Sequence, residues 1–214
     1  MDNATSTIDA RQVENTTSDN PLPKNSQSSR PPQRRPTITG IPESLRSYDS
    51  WVAWKLVNLP DQTTKEHRWT KVPTCAAGPS RGYNAKSNDP TTWSPFADAW
   101  EFHRKYKSTA GIGFMVSHGI AAIDLDKCRD RQTGIIEPWA REIIDRADSY
   151  WEISPSGKGI HIFGYGSVRA NGPKRRGRIE TYSTVRFVTI TGWTPTRSDL
   201  RDLADIQSTI DLIQ

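Results

Sequence analysis

Apolar positions are isolated at the start of the chain and dense later. Up to about residue 40 the only hydrophobes beyond alanine are Met1, Ile8, Val13, Leu22 and Ile38, set among Asn, Ser, Thr, Gln and Pro. Such a stretch cannot bury enough apolar surface to offset its ordering entropy. Residues 1–40 therefore read as a disordered tail ending in a stiff basic linker, Arg30 to Pro36, and residues 41–214 as one folded domain. Within that domain Pro42 to Arg46 suits a short helix. Trp51 to Val57 and Arg68 to Val72 read as two strands of a hairpin around the turn Asp61 to Lys65. A long loop, 73–88, carries Arg81 and Lys86. Ser94 and Pro95 then open a helix to about Tyr106, with Phe96, Ala99, Trp100 and His103 at the spacing of a buried stripe.

Gly111 to Asp126 is the most apolar stretch. It reads as a hairpin of GIGFMVS and IAAIDLD joined at His118 and Gly119. A second helix is expected over 137–147, then the strand Tyr150 to Ser154, the turn Pro155 to Gly159 and an antiparallel return, Ile160 to Phe163. A basic loop, Lys174 to Arg178, leads to the strand Ile179 to Tyr182, and Val185 to Thr191 reads as the next hairpin arm. A last helix is expected from Ser198 through Leu200, Leu203, Ile206, Ile210 and Ile213. The pattern is that of an α+β domain of antiparallel hairpins covered by helices.

Composition narrows the class. Mean hydropathy is −0.72 and the isoelectric point near 9.3. The formal net charge of +5 suits a polyanionic partner. Cys75 and Cys128 fit neither a disulfide framework nor a zinc site. No basic-then-apolar leader and no long apolar run is present, so a cytoplasmic, reducing setting and no membrane are expected. All eight tryptophans follow residue 50, which puts the core there.

The chemistry-bearing residues lie around the central stretch. Asp124 and Asp126 are two apart on one strand, so their carboxylates leave the sheet on one side, with Cα atoms roughly 6–7 Å apart. Two such charges at ~5 Å repel by about 3 kcal/mol at an effective dielectric near 20. A divalent cation with a preference for hard oxygens removes that repulsion. Two solvated aspartates opening the loop Lys127 to Asp130 are the plainer alternative. The turn Ser154 to His161, SPSGKGIH, places Ser156, Lys158 and His161 beside two glycines, which suits an anion as well as an ordinary hairpin turn. It is neither a Walker A loop nor a His-hydrophobe-His metal motif. Glu180 lies mid-strand and needs a partner, a metal or an edge facing water. Arg186 is placed to pair with Glu180 or to bind phosphate.

Together these segments resemble the archaeo-eukaryotic primase superfamily, in particular the primase-polymerase domains of phages and plasmids. The matching motifs are Ala122 to Asp126, Ser154 to His161, and Arg178 to Tyr182 followed by Arg186 to Gly192. Trp51 to Lys55, Lys71 to Pro73 and Asn88 to Trp93 fit upstream. The second motif is longer than the usual Ser-x-His. The resemblance implies a fold with an RRM-like catalytic half. It implies template-directed nucleotidyl transfer, as DNA primase or polymerase, with two Mg²⁺ or Mn²⁺ ions on Asp124, Asp126 and Glu180. His161, Lys158, Ser156 and Arg186 would then meet the nucleoside triphosphate. Single-stranded template and primer would be the partners, with Lys174, Arg175 and Arg176 on their backbone. Relatives are often fused to a helicase, so a helicase domain or protein is a further expected partner. Two other readings fit the residues less well. A metal-dependent nuclease would want a lysine that Glu180-Thr181-Tyr182 lacks, and a non-catalytic single-stranded DNA-binding module leaves three carboxylates unexplained.

Overall fold

The computed structural model describes residues 29–61, 63–64, 66–167, 175–196, 199–203 and 208. Most of the expected tail, Lys174 and most of the expected last helix, including Ser198, Ile206, Ile210 and Ile213, lie outside the described residues. Among the described residues, two antiparallel sheets and three α-helices make an α+β fold. Strands β1 (Trp51–Pro60) and β2 (His67–Thr74) form the hairpin that alternation predicts. They join β3 (Gly111–Val116) and β9 (Arg186–Ile190) in a sheet of order β2-β1-β3-β9. The second sheet has the order β5-β6-β4-β8-β7. It is built from β4 (Ile120–Leu125), β5 (Tyr150–Ile153), β6 (Ile160–Tyr165), β7 (Arg175–Arg176) and β8 (Ile179–Tyr182).

This topology corrects two expected hairpins. β3 and β4 follow each other through a short link but belong to different sheets, as do β8 and β9. Alternation fixes which face a side chain takes, not which strand its backbone pairs with. The links show the divergence in their dihedrals. His118 and Gly119 have φ of 55° and 72°, and Val185 has φ of 51°. A positive φ on β-branched Val185 is a genuine outlier. Tyr48 stacks on His118 with ring centroids 5.3 Å apart.

Helix α1 (Glu43–Arg46) follows Pro42, and α3 (Pro138–Ala147) matches expectation. Helix α2 (Phe96–Lys105) starts later than predicted, because Ser94 bridges to Trp51 and donates its hydroxyl to the Trp51 carbonyl instead of capping. The basic loop before Glu180 is a short hairpin arm, since Arg175 and Arg176 pair with Glu180 and Ile179. Leu200 and Leu203 are not helical. Their segment runs beside β6 through a bridge between Tyr165 and Asp202.

β4 is buried on both faces, which explains its continuous apolar run. On one face Ile123, Leu125, Ile160, Ile162 and Ile179 pack on Ala140, Ile143, Ile144 and Ala147 of α3. On the other, Ala122, Tyr150, Phe163 and Tyr182 join a core shared with Trp51, Ile112, Phe114 and the α2 residues Phe96, Ala99 and Phe102. The first sheet is strongly curled. Lys71 on β2 donates to Thr189 Oγ1 on β9 at 3.3 Å, although β1 and β3 lie between them. In a flat sheet those strands would stand ~14 Å apart. Gly113 makes the curl possible, because a Cβ there would run into the Phe187 ring.

Candidate active site

Register brings the chemistry together. In the second sheet Asp124 on β4 lies opposite His161 on β6 and Glu180 on β8. His161 in turn lies opposite Glu152 on β5, and Glu180 opposite Arg175 on β7. Residues directly opposite share a face, so one row of ionisable side chains crosses β5, β6, β4 and β8. The preceding row on that face is Tyr150, Phe163, Ala122 and Tyr182, which belongs to the core. The ionisable row thus sits where the apolar core stops. Asp126 follows one step further, its amide donating to the Arg178 carbonyl at 2.8 Å.

Glu152 was not singled out in the sequence. It is fully buried and accepts from the Tyr150 hydroxyl at 2.6 Å, the Thr191 amide at 2.9 Å and the Gly192 amide at 2.7 Å. Burial and the Glu152 charge push the Tyr150 hydroxyl well above its ordinary pKa, so it stays a donor. His161 Nδ1 faces Glu152 Oε1 at 3.2 Å. A carboxylate only accepts, so the proton in that bond belongs to Nδ1. Nε2 is left toward Asp124 Oδ1 at 3.8 Å, too long for a hydrogen bond. The sequence signal was a carboxylate inside YWEI, a strand with apolar neighbours on both faces.

Asp124 and His161 open into a cleft of about 720 Å³ against the curled sheet. Arg68, Lys71, Lys86 and Arg186 bring positive charge to its walls. Desolvation lowers the Lys71 pKa, against the pull of Asp124, Asp126 and Glu152, which raise it. The residue still has solvent contact, so its ammonium is crowded in the cleft mouth and not sealed away. Lys71 also lies over the Trp54 ring at 5.8 Å. Arg186 pairs with Glu180 at 3.4 Å and covers the Tyr182 ring at 4.5 Å, while the Tyr182 hydroxyl donates to Glu180. The pairing expected between Arg186 and Glu180 is therefore present.

Arg178, adjacent to the site in sequence, points elsewhere. It forms a two-pronged pair with Glu137 at 2.7 and 2.6 Å, donates to the Lys127 carbonyl at 3.1 Å and lies over Trp139. Its hydrogen bonds, with one from the Trp139 indole, hold the Glu137 pKa at about 2, below the ordinary 4.5. A depressed folded-state pKa gives stability that is complete above the unfolded value and fades as pH falls toward about 2. The melting-temperature gap between wild type and Glu137→Gln should be largest near neutrality and close over that acid window. Melting curves across pH check this, and a gap constant with pH would contradict it. Both cysteines are free and buried, and burial pushes the Cys128 thiol to about 12.

No protein-family model matches the chain. A relative does. The chain is 31% identical over 170 residues to the "DNA Primase-polymerase" of Nitratiruptor phage NrS-1, a match covering 75% of this chain and 22% of that protein. The chain carries a primase-polymerase domain of the phage type. It spans about a fifth of the length of that relative.

In this primase-polymerase domain the expected site residues divide into groups. Asp124, His161, Glu180 and Arg186 come together at the cleft, with Asp126 next along the strand. Ser156 and Lys158 do not line the cleft. They sit on the β5–β6 turn, where the Ser156 hydroxyl meets Ser154 Oγ at 3.0 Å and Lys158 is exposed. Arg175 and Arg176 form β7 beside Glu180, and Lys174 lies outside the described residues. Among the described residues no helix is long and apolar enough to cross a membrane.

Proposed function

We propose that the domain is a template-directed nucleotidyltransferase, a DNA primase, DNA polymerase or both, working in phage or plasmid replication. The observation that carries this reading is the register row of Asp124, His161 and Glu180 at the rim of a cleft with cationic walls. The reaction joins the 3′-oxygen of a strand to the α-phosphorus of a nucleotide and releases pyrophosphate. Lys71, Arg186 and His161 would bind the triphosphate and stabilise the charge that grows on the leaving group, His161 as an imidazolium with Nδ1 on Glu152 and Nε2 donating to a phosphate oxygen. Glu152 holds His161 in the orientation for this. Arg186, paired with Glu180, keeps that carboxylate turned to the row.

Asp124, Asp126 and Glu180 would hold Mg²⁺ or Mn²⁺. Their hard oxygens on one side of the sheet suit such ions. Among the described residues no three His, Cys, Asp or Glu side chains close into a cage, so phosphate oxygens of the nucleotide would complete the coordination. When bound, the ions neutralise charge on the attacking and leaving oxygens.

Template and primer DNA, nucleoside triphosphates and a helicase are the proposed partners. The test is a primed and an unprimed template assay with labelled strand, comparing NTP with dNTP, in Mg²⁺, Mn²⁺ and chelator. Metal-dependent lengthening supports the reading, while shortening would establish a nuclease and overturn it. His161→Ala should weaken nucleotide affinity about 10- to 100-fold, the loss expected for one charge-assisted contact. DNA affinity should hardly change. Titrations of both ligands check this, and equal losses would remove His161 from the triphosphate site.

A further inference from the structure

Beside the cleft lies a second positive surface that the cleft does not use. The Ser154–Gly159 turn, which carries Lys158, is covered by cations from two distant parts of the chain. The segment before α1 is pinned across it. The Arg34 amide donates to the Pro155 carbonyl at 3.0 Å, the Trp193 indole to the Arg35 carbonyl at 2.7 Å, and the Thr37 amide to the Thr191 carbonyl at 2.8 Å. The Arg34 guanidinium lies over the Trp193 ring at 4.9 Å. Arg129 donates to the Gly157 carbonyl at 2.9 Å, and its amide donates to the Lys158 carbonyl at 2.9 Å. Arg131 and Arg34 converge over Gly157. A Cβ placed there would meet Arg131 Cγ at 3.4 Å and Arg34 Nε at 3.5 Å. Lys158 stands exposed beside them.

Among the described residues neither Arg34, Arg131 nor Lys158 has an acidic partner. Asp130 shares the surface, but its carboxylate is turned into its own loop. It accepts from the Gln132 amide at 2.8 Å and from the Thr133 amide and hydroxyl at 2.7 and 3.0 Å. Like charges gathered without a carboxylate between them repel, and folding does not need that repulsion. An anion outside the chain removes it.

The form of the surface selects the anion. Three of the turn's own amides are already used: Gly157 on the Ser154 carbonyl, Lys158 on Ser156 Oγ and Gly159 on Ser154 Oγ. No amide nest remains for a single bound phosphate. What remains is a strip of side-chain cations, with an aromatic ring at one end, which suits successive phosphates of a strand. The strip also begins in the right place. The Arg129–Lys158 backbone bond ties it to the loop directly after Asp126. None of Arg34, Arg129, Arg131 or Lys158 lines the cleft. We propose that Arg34, Arg129, Arg131 and Lys158 form a track for a single-stranded nucleic-acid backbone leading to or from the carboxylate row. The docked basic segment is thereby part of the binding surface. The direction of the track rests on the proposed transferase reading, but the binding itself does not.

The test is binding of a fluorescent oligo-dT to the whole chain, without metal or nucleotide, across a range of salt. Wild type is compared with Arg34→Ala/Arg131→Ala and with Arg34→Lys/Arg131→Lys. Lys158 is left intact because the nucleotide reading also claims it. The alanine pair should weaken oligonucleotide binding and flatten the log–log salt slope by about 1.4, roughly 0.7 for each lost contact. The lysine pair should restore most of the slope. Nucleotide affinity, titrated separately, should be unchanged in both. Melting curves exclude unfolding, since the segment is held mainly by backbone bonds that alanine keeps. An unchanged slope and affinity in the alanine pair would overturn the track, as would an equal loss of nucleotide affinity. Binding needs no turnover, so the outcome is separable from the fate of the transferase reading. A domain that fails to lengthen DNA yet shows the slope change keeps the track and loses the reaction.

Discussion

Asp124→Asn is expected to give a folded domain that incorporates nucleotide about a thousandfold more slowly, a loss of about 4 kcal/mol in transition-state stabilisation. Asp124 is the central member of the row, opposite both His161 and Glu180. Asparagine keeps its shape and one oxygen but removes the charge that would hold a divalent ion. Stability should move the other way. Asp124 faces Glu180 across one strand spacing and precedes Asp126, so removing its charge relieves repulsion of up to about 3 kcal/mol at an effective dielectric near 20. The cations Lys71 and Arg186 offset part of that repulsion. The melting temperature should therefore hold steady or rise by a few degrees, at about 2–4 °C per kcal/mol for a domain of this size. Primer extension and thermal melting of the same preparation decide it. Near-normal synthesis would remove Asp124 from the reaction, and a melting temperature many degrees lower would make it a structural residue.

Glu152→Ala should have the largest effect on stability. It strips the Thr191 and Gly192 amides, the Tyr150 hydroxyl and His161 Nδ1 of one shared acceptor, all in a fully buried place. Breaking such a buried network costs about 3–5 kcal/mol, which corresponds to a fall in melting temperature on the order of 10 °C. Glu152→Gln separates packing from proton placement. It fills the same volume and retains one carbonyl for the amides, so its stability loss should be smaller. Its amide group, however, carries no charge to support an imidazolium, so the doubly protonated ring that holds Glu152 through Nδ1 and donates to phosphate through Nε2 is disfavoured. The expected result is a mostly folded protein whose nucleotide affinity falls nearly as far as that of His161→Ala. Wild-type nucleotide affinity in Glu152→Gln would show that Glu152 supports the sheet alone.

The strands were legible because their alternation and β-branched or aromatic content are local properties. IAAI, buried on both faces, and the paired strands of β1 and β2 could be read directly. Partnership was not legible, because it depends on where the backbone goes after each link. GIGFMV and IAAIDL look like two arms of one hairpin, yet His118 and Gly119 send them into separate sheets. Asp124, His161 and Glu180 were each visible as residues that an apolar strand does not need. Their convergence became a geometric fact only with the register of β4, β6 and β8. Glu152 was missed because one carboxylate in a four-residue strand resembles an ordinary solvent-facing position. Arg178 is the opposite case: its nearness in sequence to Glu180 says nothing about Glu137, which holds it.

The strand links have a further consequence, for the order in which the chain assembles. β3 and β9 are neighbours, with Val116 opposite Arg186, and β4, β5, β6, β7 and β8 all lie between them in sequence. The five-stranded sheet is therefore an insertion that leaves and re-enters the four-stranded sheet at one place. Until that insertion has collapsed, Arg186 is far from Val116 along the chain, and closing so long a loop yields few contacts in return. Closure of the curled sheet, and with it of the cationic wall formed by Lys71 and Arg186, is therefore favoured once the sheet bearing Asp124, His161 and Glu180 has formed. The sheet that carries the carboxylate row thus comes before the opposite wall of its own cleft in the favoured order of assembly.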